Sequence, residues 1–559
     1  MLRLRLSRVR SALVLSCVAG ASLGACSACG STPPPPAVHA EAAPLRFLVT
    51  FGARDARAEG LTAEETAHPA RHVAVVLLGS AGEVLEASAT DADGYVTFEG
   101  SHDAAAVRVT AHIQTSSTDV ATTTDPLGEH PHTETRPLNS LQLAPSEAGV
   151  TRIHFDDTSS PMAGALHITD ALLRGSNALE RWTGHGLPPF FTYWGRGITV
   201  EWSFYRGEVP AGSGRYALEL LGGPTGEQHT TDTDEHDEGI ILHELGHYVM
   251  DRFAGSSSIA GRHPPGSLVD PGVAWEEGRA TWFAMAVLAE EEPEREPFYR
   301  DTVGIIPTGS TRINEDVEHP GAPRGLGSER SVAGVLWDLT DGAREGTVSP
   351  TDRDNDGIAL GAASVLESMS ALAGEPGTFA SLPSFLQFLV RTHRLSREQA
   401  IAMLQATGEE AALLPAGDAS LWPIDMRLDE PVQGTIDGLS DPSPSGAPAK
   451  PDNGIDAVRT FRFALSEAQR VHVQLDITGS GGTADHTDLD LELRSLRADV
   501  LQRNADYASH PAIDAALEPG HYIVIVRDGG AGNRARFTLT VRSEHPPSPP
   551  PASPRRPRR

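Results

Sequence analysis

The chain has 559 residues, with 75 acidic against 45 basic side chains and a formal charge of −30. That length exceeds what one core fills and implies roughly two to four domains. So acidic a body repels nucleic acid and anionic membrane surfaces, and neither is expected as a direct partner.

Residues 1–26 read as an export signal: an Arg-rich start, an apolar run from Ser11 to Ala21, and Leu23-Gly24-Ala25-Cys26 at the end. That ending resembles a bacterial lipobox. The resemblance implies cleavage before Cys26, a lipid on its sulfur, and attachment to the cell envelope through that anchor alone, with Ser27 favouring the outer membrane. No later run reaches the ~18 apolar residues of a spanning helix. Cys17, Cys26 and Cys29 are the cysteines of the sequence, so the body beyond them has no disulfide or thiolate metal site. Any metal there must be held by histidines and carboxylates.

Residues 27–44, with Pro33 to Pro36 in a row, read as a solvated tether. Between 45 and 115, short alternating patterns predict strands at Arg46–Phe51, His72–Leu78, Val84–Ala89, Tyr95–Glu99 and Val107–Ile113. The segment GSAGEVLEASATDADGYVTF resembles transthyretin-like or carboxypeptidase regulatory-like modules, which implies a transthyretin- or Ig-like β-sandwich. Asp91-Ala92-Asp93-Gly94 within it reads as a turn, with calcium as the alternative. Residues 116–149 lack periodicity and read as a linker, with His130 and His132 in solvent.

Residues 150–425 read as an α+β domain. Strands are expected at Arg152–Phe155, Ile198–Phe204 and Arg215–Leu221. Helices are expected at Ala163–Arg181, from Ile240, from Asp270 to about Glu290, and at Ser331–Asp341, Ile358–Leu372, Phe379–His393 and Arg397–Ala406. The stretch IILHELGHYVMDRF holds His243-Glu244-Leu245-Gly246-His247 on an apolar-periodic helix that Asp234 or Asp237 could cap and Gly255 could end. Spacing of i and i+4 aims two imidazoles at one ion and sets Glu244 beside them to accept a proton, which is the H-E-x-x-H signature of zinc hydrolases. His236 falls on the same face and is expected either behind the ligands or exposed at the helix start.

A catalytic zinc usually has three protein ligands. The metzincin pattern needs histidine at 253 and glycine at 250, where the chain has Phe253 and Met250. Trp275-Glu276-Glu277-Gly278-Arg279-Ala280 resembles the W-x-x-E-G-x-A segment of gluzincins, shortened by one residue. The resemblance implies a zincin-like metallopeptidase domain with Glu277 as third ligand and Glu276 as fallback, Glu276 projecting about 100° away towards solvent or behind the ligands. It also implies a histidine or tyrosine that steadies the oxyanion, with Tyr299, His319 and His263 as candidates and Tyr299 preferred. Asp352, Asp354 and Asp356-Gly357 form a calcium-type loop without the twelfth-position carboxylate, so calcium is the second candidate cofactor after zinc.

The stretches VRTFRFAL, RVHVQLDI, DLDLELR, GHYIVIVRD and RARFTLTVR predict a further all-β unit over 426–545, self-contained and dispensable for bond cleavage. NGIDAVRTFRF, DLDLELR and LEPGHYIVIV resemble the bacterial pre-peptidase C-terminal domain, implying a jelly-roll-like β-sandwich. Residues 546–559 are a basic Pro-rich tail. Taken with the gluzincin resemblance, the expected function is peptide-bond hydrolysis at the cell envelope on a protein or peptide substrate. The alternatives are a non-catalytic adhesion or glycan-binding lipoprotein and a zinc hydrolase of non-peptide substrates; an intact Glu244 favours the enzyme, because a binding module needs no general base.

Overall fold

In the computed structural model of the protein, strand Leu45–Ala53 turns Phe47, Val49 and Phe51 inward at period two and leaves Arg46 exposed. The structure describes residues 44–100, 103–143, 149–227, 229–255, 266–293, 295–341, 358–375, 377–408, 422–437, 456–480, 489–496, 500–505, 510–529 and 534–544. Cys26 with its leader and tether, His263, the loop from Asp352 to Gly357 and the tail lie outside the described residues. Among the described residues the fold is multi-sheet and β-rich with seven α-helices. None of these is long and apolar enough to cross a membrane.

Strand Leu45–Ala53 pairs in parallel with Val150–Phe155, Arg46 opposite Val150 and Phe51 opposite Phe155. Its five-stranded sheet runs Gln142–Leu143, Val150–Phe155, Leu45–Ala53, Thr66–Pro69, with Tyr95–Phe98 also on Leu45–Ala53. An eight-stranded sheet runs Phe204–Glu208, Tyr216–Glu219, Phe190–Tyr193, Asp119–Thr123, Ala104–Gln114, Val73–Gly79, Val84–Ala89, with Thr133–Pro137 beside Ala104–Gln114. The boundaries expected at 115 and 149 therefore do not separate a sandwich from an α+β domain, because both sheets draw strands from either side of them. Local alternation announces a strand but not its partner, and a parallel partner lies a crossover away.

The expected linker itself supplies strands Asp119–Thr123 and Thr133–Pro137. Threonine is polar but β-branched and packs well on a pleated surface. Thr122 is fully buried and its Oγ1 meets Thr169 Oγ1 at 2.7 Å. His130 is exposed as expected, whereas His132 is buried, with Nε2 2.8 Å from the Trp194 carbonyl.

Helix α1 (Pro161–Thr183) begins at Ser160, whose side chain accepts from Met162 N, with proline in the first turn. It ends at Gly184 in the left-handed region that glycine enters without strain (φ 71°). It packs on Leu45–Ala53, on Asp119–Thr123 and on α2 (Glu238–Phe253). Helix α3 (Pro271–Glu291) starts at Asp270, whose side chain accepts from Gly272 N, and is buried along most of its length between α2 and α4 (Glu329–Asp338). Helices α5 (Ala362–Ala373), α6 (Leu382–Arg391) and α7 (Arg397–Ala406) follow close to their expected positions. A hairpin the sequence reading missed, Phe298–Val303 with Ser310–Asp316, lies against α2.

The C-terminal region forms two facing sheets. One runs Ile424–Asp425, Val458–Leu465, Gly520–Asp528, Leu489–Ser495, Val500–Asn504, the other Val432–Asp437, Arg534–Glu544, Gln469–Ser480, Ala512–Leu517. Phe461, Phe463, Val473, Leu491, Phe537 and Leu539 fill the space between them as a core of their own. The first sheet is buried on its outer face too: Val458, Ile523 and Ile525 join the main core, and Thr460 Oγ1 donates to Asp270 Oδ2 at 3.0 Å. The sandwich is thus seated on the start of α3 and is less self-contained than its strand patterns suggest.

Candidate metal centre

Helices α2 and α3 meet where Gly246 faces the backbone of Ala280. A Cβ on Gly246 would lie 2.9 Å from the Ala280 carbonyl oxygen and 3.0 Å from its Cα, nearer than a side chain tolerates. This approach lets His243 and His247, three residues before and one after Gly246, share a point with Glu277, one turn before Ala280. His243 Nε2 and His247 Nε2 are 3.0 Å apart, and Glu277 Oε2 is 3.2 Å from each. The sequence-predicted ligands His243, His247 and Glu277 are brought together; Glu276 is not among them.

Zinc bonds of ~2.0–2.1 Å at tetrahedral angles put neighbouring donors about 3.3 Å apart, and the observed triangle has nearly that size. His243 Nδ1 lies 3.0 Å from Thr281 Oγ1. A proton on Nδ1, held by Thr281, leaves the Nε2 lone pair free for an ion. Burial works against charge on His247, yet the adjoining Glu277 carboxylate, with Glu244 and Glu276 further off, pushes its pKa up to about 9. Two imidazole nitrogens and a carboxylate oxygen this close suit a shared proton or a bound cation, so the donor set fits zinc.

Glu244 is 6 % exposed and its charge bears on both His247 and Tyr299. Tyr299 stands on the hairpin, its ring centroid 5.5 Å from that of His243. Burial first, and then Glu244, raise its phenol well above the usual range, so the hydroxyl keeps its proton. His319 is half exposed beside Asp316 and does not reach the centre.

Three expectations need correction. Glu276 is neither solvated nor a ligand neighbour in reserve: it is 3 % exposed and ion-paired with Arg279, itself 1 % exposed, whose Nη2 also donates to the Gly255 carbonyl at 2.7 Å. That pairing fixes α3 to the end of α2. His236 is buried before the helix starts, with Nε2 3.2 Å from Asp157 Oδ1, in a network with Arg54 and Arg196. The Asp237 carboxylate also departs from its expected capping role and accepts from Thr302 N at 2.8 Å. Asp91-Ala92-Asp93-Gly94 is a turn, Asp91 Oδ1 accepting from Asp93 N and Tyr95 N. Sequence reasoning missed Thr281 and Arg279, although Thr281 sits one helical turn past Glu277, where an orienting group belongs.

No protein-family model matches the sequence, and no curated protein is similar to it. Among solved structures it is weakly similar to the pre-peptidase C-terminal domain of a Bacillus anthracis collagenase, at 12% identity over 22% of this chain and 100% of that one, with a TM-score of 0.17. It is similar at the same depth to a periplasmic inhibitor of g-type lysozyme from Aeromonas hydrophila, at 12% identity over 21% of this chain and 96% of the other, TM-score 0.14. A Podospora anserina β-(1,4)-mannanase with a carbohydrate-binding module gives 13% identity over 21% and 29%, TM-score 0.14. Likenesses of this depth carry no argument about the chain's activity.

Proposed function

We propose that the chain is a zinc-dependent peptidase of the gluzincin type, with a zincin-like central domain, held at the bacterial cell envelope through Cys26. The observation that carries the reading is the triangle of His243 Nε2, His247 Nε2 and Glu277 Oε2 with sides of 3.0, 3.2 and 3.2 Å. Zinc held there would acidify a water and polarise a peptide carbonyl. Glu244, next to His243 on the same helix, takes the proton of the attacking water on its carboxylate and returns it to the departing amide nitrogen. Thr281 keeps His243 in the tautomer whose Nε2 faces the centre. The Tyr299 phenol, still protonated at neutral pH, is available as a hydrogen-bond donor to the developing oxyanion. His247, with its side chain 17% exposed, marks the side from which substrate enters.

The test compares metal content and casein cleavage in the wild-type chain and in Glu244→Gln. The variant should keep about one zinc per chain and lose at least ~100-fold in turnover, within the range general-base removal costs. Cleavage by Glu244→Gln at the wild-type rate, or a wild-type chain that takes up no zinc, would overturn the reading.

A further inference from the structure

A second group of carboxylates lies at the foot of α2, apart from the triangle. The segment entering the helix carries Asp232 and Asp234, and strand Phe298–Val303 brings Asp301 against them. Oxygens of the three lie within 4.8 Å of one another. Asp234 and Asp301 are 4 % and 5 % exposed. Oδ1 of Asp301 and Oδ1 of Asp232 are buried with no amide, hydroxyl or guanidinium donor on either, and the two carboxyls face each other. Arg312 donates to Asp232, and Ser203 to Asp234. Asp237, buried alongside, spends its carboxylate on Thr302.

We propose that Asp232, Asp234 and Asp301 hold a calcium ion that ties the entry of α2 to the strand bearing Tyr299. The site is independent of the zinc reading and is distinct from the Asp352 loop. One guanidinium faces several buried carboxylates here, and burying like charges without compensation is costly. The molecule resolves the same problem differently a short way off: Asp157, with Glu235 and His236, receives both Arg54 and Arg196, so fixed cations already balance it. Among the described residues the Asp301 group is paired with one arginine, Arg312, where the Asp157 group has two. Burial first, then Asp234 and Asp232, push the Asp301 carboxyl up to about 8, so near neutral pH the cluster takes either a proton or a cation. An all-oxygen donor set selects a hard ion. Calcium, with bonds of ~2.3–2.6 Å and tolerance for irregular geometry, suits it better than magnesium, which demands a near-ideal octahedron and retains its waters.

The experiment titrates calcium into the full zinc-saturated chain by calorimetry and follows melting at ~1 mM calcium. Wild type should bind with heat and rise by about 2–4 °C, as expected for a ligand near saturation on a large domain. Asp301→Asn keeps the shape and the neutral charge of the protonated carboxyl but removes a carboxylate ligand, and should lose both the heat and the calcium-dependent rise while melting no lower than calcium-free wild type. Absence of both effects in wild type would mean that a proton alone fills the cluster and would overturn the proposal. So would equal uptake by Asp301→Asn, or an equal response to magnesium. Should that variant fail to fold, hydrogen exchange of the wild type decides: calcium must slow exchange in 229–237 and 298–303, and unchanged exchange there sinks the site.

Discussion

Replacing Gly246 by alanine tests whether the α2–α3 crossing sets the metal triangle. In an exposed helix interior this change usually stabilises by up to ~1 kcal/mol. Here the new methyl would lie 2.9 Å from the Ala280 carbonyl oxygen and 3.0 Å from Ala280 Cα, both parts of a backbone locked within α3. The helices must part by a few tenths of an ångström, and overpacking of that kind costs about 1–3 kcal/mol, so the sign reverses. The same displacement draws Glu277 away from His243 and His247 and should weaken zinc binding by about 10-fold or more, the scale of a disturbed ligand shell. Gly239→Ala on the same helix is the control, because its nearest neighbour would be Tyr299 Cδ2 at 3.4 Å, ordinary contact. Chemical unfolding without zinc gives the stability term, and competition with a chromophoric chelator gives the affinity. A Gly246→Ala chain as stable as Gly239→Ala, with unchanged zinc affinity, would refute the claim that this crossing builds the site.

Three further outcomes are expected. Glu277→Ala should lose zinc and cleavage together, whereas Glu276→Ala should keep the triangle but strand the buried Arg279 charge at ~3–5 kcal/mol; metal analysis and melting of the two variants separate these. Asp270, held up to about 6 by burial, keeps its proton in the folded chain where the unfolded carboxyl has lost it. Stability therefore falls as pH rises from about 4 to about 6, by up to ~3 kcal/mol from this group, and urea melts across that range should show a shallower fall in Asp270→Asn. Mass spectrometry of the native N-terminus should find a lipid-modified Cys26, and an unmodified cysteine or a start elsewhere would remove the envelope anchor from the proposal.

The imidazole pair was readable because its spacing is local: i and i+4 on an apolar-periodic helix need no knowledge of the rest of the chain. Glu277 was legible through the resemblance of Trp275–Ala280 to the gluzincin segment, and the Asp270-Pro271 start of α3 adds only that Glu276 and Glu277 point in different directions. What Glu276 does was not, because its partner Arg279 is one turn away but the burial of both depends on α2 and Gly255. The parallel pairing of Leu45–Ala53 with Val150–Phe155 left no local trace, and Phe190–Tyr193, buried along most of its length, shows no alternation to betray it. The Asp301 cluster is assembled from a loop and a hairpin some seventy residues apart, and only the folded chain brings them together. His132 reads as polar in a polar stretch until Trp194 supplies it with a carbonyl.

The pairing of Leu45–Ala53 with Val150–Phe155 also bears on how the chain comes to be folded. An apolar strand, LRFLVTFGA, is made about a hundred residues before its parallel neighbour exists, which at ~5–20 residues per second is a wait on the order of ten seconds. Until then its inner row, Phe47, Val49 and Phe51, has no lasting cover, and an uncovered strand of this kind recruits other chains. Closing so long a loop also slows the final step, since the entropy is lost before the contacts repay it. Folding that starts only once the whole chain is made, with both strands present together, avoids that interval.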